Sequence, residues 1–202
     1  MSLRESTLGR PSLFRLFNRI ISREKSDVLV EEYICPALGD RVLDVGCGYG
    51  RLSSRLNHAT YIGIDISPTY IDYAKSNYGN FGRFICEDIT DDSVLKDLGQ
   101  FDVVTIIGVL HHLSDTECQM LLSSVKRLLS DDGSLITLDG VFTYDQSAFT
   151  RLLLRKDRGR FVRTEEHYRQ LLSEQFEIST GDIRSDLSKV PYTHFITVCR
   201  SR

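Results

Sequence analysis

The chain has 202 residues, 41% of them hydrophobic and 26% charged, which suits one domain with a sizeable core and is short for two. Its 25 basic and 28 acidic side chains leave a net charge of -3, which argues against coating nucleic acid through a basic surface. Cysteines at 35, 47, 86, 118 and 199 form no Cys-x-x-Cys pair, and no apolar run has the length of a signal peptide or membrane span. No metal site is therefore expected, and the thiols read as reduced in a cytoplasmic protein.

The first predicted element covers residues 13–21, where Leu13, Phe14, Leu16, Phe17, Ile20 and Ile21 share one helical arc opposite Arg15, Asn18 and Arg19. Such a helix can fold back as a lid over its own active site, the preferred reading, or lie on an anionic membrane surface. Residues 1–39 are read together as this helical lid. From residue 40 to 140, β-branched runs at 41–45, 60–65, 82–86, 101–107 and 133–139 alternate with segments of helical period near 49–57, 68–78, 91–98 and 114–129. Ser67-Pro68 reads as a cap before a proline-started helix, Ser114 to Glu117 as a capping box, and Asp131-Asp132-Gly133 as the turn into the fifth strand. Helices are expected near 144–156 and 164–174, then two strands near 176–183 and 193–200. Only a loop, residues 184–192, separates these strands, so they should pair antiparallel. The pattern predicts a single α/β domain: a doubly wound, Rossmann-like, mostly parallel sheet of seven strands with an antiparallel C-terminal strand. Ligands of such sheets bind beyond the carboxyl ends of the strands.

Net charge conceals an uneven distribution. Residues 40–150 carry 8 basic and 16 acidic groups, whereas residues 151–202 carry 11 and 7. The acidic middle holds the most informative segment, Asp44-Val45-Gly46-Cys47-Gly48-Tyr49-Gly50-Arg51, where a strand runs into a glycine turn and a helix. Glycines there let a cofactor approach the backbone and leave amide groups unobstructed. A dinucleotide fits poorly, because the third glycine of its fingerprint would fall at Arg51 and because Asp44 would repel a pyrophosphate on the same turn. A carboxylate there suits a cationic ligand. Asp65, ending the second strand, can accept both hydroxyls of a ribose, and Asp88, after the third, can accept from an adenine amine. Three carboxylates at successive strand ends describe a nucleoside joined to something cationic, as in S-adenosylmethionine. Asp88 has a bland alternative as a helix cap.

Asp44 to Gly50, Gly63-Ile64-Asp65-Ile66-Ser67, Glu87-Asp88 and Phe101-Asp102-Val103-Val104 closely resemble the motifs of class I S-adenosylmethionine-dependent methyltransferases, in order, over residues 28–140. The resemblance implies S-adenosyl-L-methionine as cofactor, with Asp44, Gly46, Cys47, Gly48 and Gly50 around its methionine part. It further implies Asp65 with Ile66 at the ribose, Asp88 with Ile89 at the adenine, and Gly108 with Val109 near the sulfonium. Cys47 reads as a small spacer in the loop, not a nucleophile.

Methyl transfer depends on aligning the acceptor, and a hydroxyl or amine acceptor gains from a general base. His111 and His112, just after the fourth strand, are the candidate bases, with a helix cap or pocket wall as the bland reading. Asp139 reads as organising the turn after its strand. Residues 141–202 form the expected substrate side. Tyr144 beyond the fifth strand, Arg158 and Arg160 in the basic run 151–163, and Tyr192 and His194 opening the last strand are candidate acceptor contacts. Arginine forks bind carboxylate and phosphate, although such a run can also be a solvated helix end. Together, Asp157-Arg158-Gly159-Arg160 and Pro191-Tyr192-Thr193-His194 resemble small stand-alone bacterial methyltransferases, some serving surface-glycan synthesis. The reading is O-methylation of a small-molecule or glycan-type acceptor bearing an anionic group. The alternatives are methylation of structured RNA, disfavoured by the modest basic area, and a non-catalytic S-adenosylmethionine-binding regulatory module.

Overall fold

Short runs of Val, Ile and Leu bounded by turn residues become strands, because branched side chains pack well on a pleated surface. The structure, a computed structural model, describes residues 27–156, 159–188 and 191–202. Its strands are β1 (Arg41–Val45), β2 (Thr60–Asp65), β3 (Arg83–Cys86), β4 (Phe101–Ile107), β5 (Leu129–Phe142), β6 (Arg163–Thr164), β7 (Phe176–Arg184) and β8 (His194–Ser201). Its helices are α1 (Pro68–Tyr78), α2 (Asp92–Leu98), α3 (Asp115–Leu128), α4 (Ala148–Lys156) and α5 (Glu165–Ser173). The expected helix at 13–21 and the candidate contact Arg158 lie outside the described residues.

The sheet order is β3-β2-β1-β4-β5-β8-β7. β1 to β5 pair in parallel, and β8 runs antiparallel to both β5 and β7. β1 therefore lies between β2 and β4. The chain builds outward from β1 to β3, then returns to the middle and builds the other way. At that reversal, successive crossovers leave the sheet on opposite faces, which opens a crevice at the carboxyl ends of β1 and β4. The crevice receives residues 46–50 and 108–112.

Burial on both faces follows from the strand period of two. Leu43, Val104 and Leu135 face a core completed by Leu121, Leu122 and Val125 of α3 and Tyr168 and Leu172 of α5. Their neighbours Val42, Val103 and Ile136 face a second core with Ile71 and Ala74 of α1 and with Leu29 and Ile34 from the helical segment before β1. A fully buried Leu in either layer contributes about 1.5–3 kcal/mol of transfer free energy.

Three local expectations change. The helix predicted near 49–57 is a single 3-10 turn, Arg51–Arg55, entered from Gly50 at φ 72°. Asp131-Asp132-Gly133 is not a free turn. α3 passes directly into β5, and the register jumps from Phe101↔Leu129 to Val103↔Ser134, so these residues form a bulge within the strand. β6, two residues long, pairs with Val141 and Phe142 and adds an eighth strand beside the expected seven. Two residues are too few to carry a periodic signal. The capping box is present as read: the Ser114 hydroxyl accepts from Glu117 N while Glu117 Oε2 accepts from Ser114 N at 2.8 Å. No helix among the described residues is long and apolar enough to cross a membrane.

Candidate active site

The turn after β1 is held almost wholly by backbone. Gly46 N and Cys47 N both donate to Ile64 O of β2, at 2.8 and 3.1 Å. Gly46 has no room for a side chain, since a Cβ there would fall inside Val109 Cγ2, and this close approach ties the turn to the segment after β4. Gly48 differs. Its φ is 52°, and no atom lies within 4 Å of where its Cβ would be. Open space next to an unobstructed backbone is what a ligand lying on this turn requires. Cys47 points away from that space and packs on Gly63, where an added Cβ would meet its Sγ at 2.8 Å. Burial and the nearby carboxylates push its thiol far above the usual range, as befits a spacer.

Two carboxylates flank the turn. Asp65 receives Gly48 N at Oδ2 (3.0 Å) and Ser67 N at Oδ1 (2.8 Å). Asp65 thus fixes the entry to α1, whereas the Ser67 side chain, expected as the cap, makes no cap bond. Burial raises its pKa against those two donors. Asp44 lies deeper, 4% exposed. Tyr61 Oη donates to its Oδ2 at 2.6 Å and Thr105 Oγ1 to its Oδ1 at 2.8 Å. Burial still pushes its carboxyl up to about 6, so negative charge beneath the glycine turn is disfavoured despite these two donors. Ile66 is exposed beyond Asp65, whereas Ile89 is buried. Asp88 Oδ1 accepts from both the backbone N and the hydroxyl of Thr90. The cap of α2 is Asp91 instead.

The turn after β4 is held by backbone bonds, Gly108 N donating to Leu138 O at 2.7 Å, and by side chains from distant segments. Gly108 has φ 70°, and a 3-10 turn, Leu110–His112, follows. His111 is buried, with its ring centroid 4.1 Å from that of His112. Asp139 of β5 lies beside it, with Oδ1 2.6 Å from Nδ1 and 3.1 Å from the backbone N of His111. The expectation that Asp139 organises a turn fails, because β5 continues through Phe142. Arg163 Nη1 donates to Leu110 O and its Nη2 to Leu113 O, and the guanidinium also pairs with Asp115. Gly159 packs directly on the His111 ring, and Phe161 N donates to His111 O at 3.0 Å. Thus the basic run does reach the histidine turn, through Gly159 and Arg163, while Arg160 is exposed.

The other acceptor candidates are more scattered. Tyr144 is fully exposed beyond β5. Tyr192 and His194 are buried with ring centroids 4.8 Å apart, His194 pairing with Gly140 in the sheet. The crevice therefore gathers Asp44, Gly46, Gly48, Asp65, Gly108, Val109, His111 and His112. Sequence reasoning gave Asp139 a structural role at the following turn instead of at His111, and it missed Gly159 and Arg163 as supports.

The sequence profile of a methyltransferase domain family matches residues 42–133. Those residues are thus similar to a methyltransferase domain. Ubiquinone biosynthesis O-methyltransferase of Coxiella burnetii is 34% identical over 102 residues, 48% of this chain and 42% of that protein. Juvenile hormone acid O-methyltransferase of Bombyx mori is 33% identical over 138 residues, 61% of this chain and 48% of that protein. The chain thus spans less than half the length of either. Among solved structures, the N-methyltransferase NodS from Bradyrhizobium japonicum with S-adenosyl-L-homocysteine matches at TM-score 0.72 and 18% identity, covering 96% of this chain and 93% of that one. At that identity the likeness concerns the fold alone. The domain's matched span runs from β1 to the β5 bulge, and so ends before Asp139, Gly159 and Arg163.

Proposed function

We propose that this chain transfers a methyl group from S-adenosylmethionine to oxygen on a small-molecule or glycan-type acceptor bearing an anionic group. The observation that carries the reading is Gly48, an open, positive-φ turn at the sheet's reversal with the Asp65 carboxylate on its amide. The residues fit the cofactor. Asp65 offers acceptors for ribose hydroxyls, and the buried Asp44 charge would be relieved by a cation above it. Asp44, Gly46, Gly48, Gly50 and Val109 would hold the methionine side, Asp65 and Ile66 the ribose, and Asp88 and Ile89 the adenine. When bound, S-adenosylmethionine supplies a methyl group already activated on a sulfonium. The chain's own task is then to orient the acceptor, exclude water and receive one proton. A histidine of the 111–112 turn is the group assigned to that proton. Oxygen as acceptor is favoured because both curated relatives above bear the name O-methyltransferase.

Residues 141–202 would provide the acceptor side. Five free thiols suit a reducing, cytoplasmic setting. The test is incubation of the full chain with methyl-labelled S-adenosylmethionine and fractionated cell extract. Label in small-metabolite or glycan-lipid fractions is expected. Label confined to RNA would replace the acceptor assignment, and no transfer despite cofactor binding would favour a binding module.

A further inference from the structure

We infer that Asp139 is the positioning residue of a His111–Asp139 pair, which makes His111, of the two histidines, the base that takes the acceptor's proton. This rests on the methyl-transfer reading and deepens it. Asp139 is 2% exposed, and its Oδ1 contacts both the backbone N and Nδ1 of His111, at 3.1 and 2.6 Å. The backbone N–H can only donate, so Oδ1 accepts there, and as a carboxylate oxygen it accepts from Nδ1–H as well. That arrangement puts the proton on Nδ1 and leaves Nε2 as the acceptor in the neutral ring.

Two glycines locate Nε2. Its neighbour Cδ2 packs against Gly159, where any Cβ would collide with the ring, and its other neighbour, Cε1, lies 3.8 Å from where a Cβ on Gly108 would be. Nε2 is bonded to both carbons. It therefore sits between the basic turn and the glycine that ends β4, where the acceptor side meets the cofactor side. Asp139 Oδ2 adds a second observation: it is buried without a hydrogen-bond partner among the described residues. A half-satisfied buried carboxylate is costly, and a cation forming on the adjacent imidazole offsets that cost. In the step this serves, the acceptor hydroxyl gives its proton to Nε2 while its oxygen forms the bond to the methyl carbon. The broken carbon–sulfur bond leaves its electron pair on sulfur, and the imidazolium later returns its proton to solvent.

The test is a two-bond 1H–15N correlation spectrum of the full chain, recorded above the titration of the imidazole. It should show His111 with its proton on Nδ1, and Asp139→Asn should move the proton toward Nε2. Turnover, once an acceptor is in hand, should fall about 10²- to 10⁴-fold in Asp139→Asn, with cofactor affinity changed less than about twofold. A wild-type His111 protonated on Nε2 would overturn the inference even if the variant failed to fold. So would a variant with unmoved tautomer or undiminished turnover. Adding S-adenosylhomocysteine to the same sample separates the two readings. If the Gly46 and Gly48 amide signals stay put, the methyl-transfer reading fails whatever the tautomer.

Discussion

Two turns meet at the crevice, and they draw their supports from different distances along the chain. The one after β1 hangs from two backbone bonds to Ile64 O, one to the nearby Asp65 carboxylate, and the absence of side chains at Gly46 and Gly48. The one after β4 is fastened by buried charged groups supplied from far along the chain, Asp139 28 residues from His111 and Arg163 53 residues from Leu110. A turn that needs bare backbone must consist of glycines, and its chemistry serves a ligand common to a large family. A turn fixed by remote side chains can change its supports without changing its own residues, which suits the side of the cleft that meets a particular acceptor.

Substitutions should separate the two regions. The largest effect is expected from Arg163→Ala, which removes the donors to Leu110 O and Leu113 O. Losing these buried, charge-assisted bonds should cost about 3 kcal/mol and lower the thermal midpoint by about 10 °C. Cofactor affinity should barely change, and an unmoved midpoint would mean that the histidine turn is held otherwise. Next, Gly46→Val forces a side chain into Val109. Overpacking of about 1–3 kcal/mol should weaken S-adenosylhomocysteine binding about 10- to 100-fold by calorimetry. Retained affinity would show that the close approach is dispensable.

Asp44 gives a smaller effect with a definite sign. Its pKa stands at about 6 in the fold against an ordinary 3.8, so the folded state binds that proton more tightly than the unfolded chain does. Its contribution to stability is fully present below pH 3.8 and is lost as pH rises through about 6. Asp44→Asn should therefore flatten the fall in stability of the ligand-free protein across that window and stabilise it at pH 7 by about 1–2 kcal/mol, while weakening cofactor binding. Denaturant titrations at several pH values will check this; an unchanged pH profile would refute the buried charge. The smallest change in stability belongs to Gly48→Ala. The space is open, and the left-handed backbone costs about 1 kcal/mol, so the midpoint should shift by only about 3 °C. A methyl group where the ligand should lie ought nevertheless to reduce affinity, and equal binding by the variant would move the ligand off this turn.

Most of the fold was legible because its signals are local. β1, β2 and β4 are set by runs of branched residues, and α3 by a capping box at Ser114. The Gly46 to Gly50 turn was legible for the reason given above. What escaped lies in long-range pairing. Asp139 resembles any strand-ending aspartate until β5 is seen to pass it by, and Arg163 looks like one more cation in a basic run although it is 4% exposed. β6 exists only because Val141 and Phe142 lie alongside. The bulge at Asp131-Asp132-Gly133 has the composition of a turn, and only its partner β4 shows that the strand has already begun.

Calorimetry of the full chain with S-adenosylhomocysteine, with S-adenosylmethionine and with NAD tests the central claim most directly. Saturable heat with the first two, abolished by Asp65→Ala, and none with NAD is the predicted result. Binding of NAD with no heat from either sulfur ligand would contradict it.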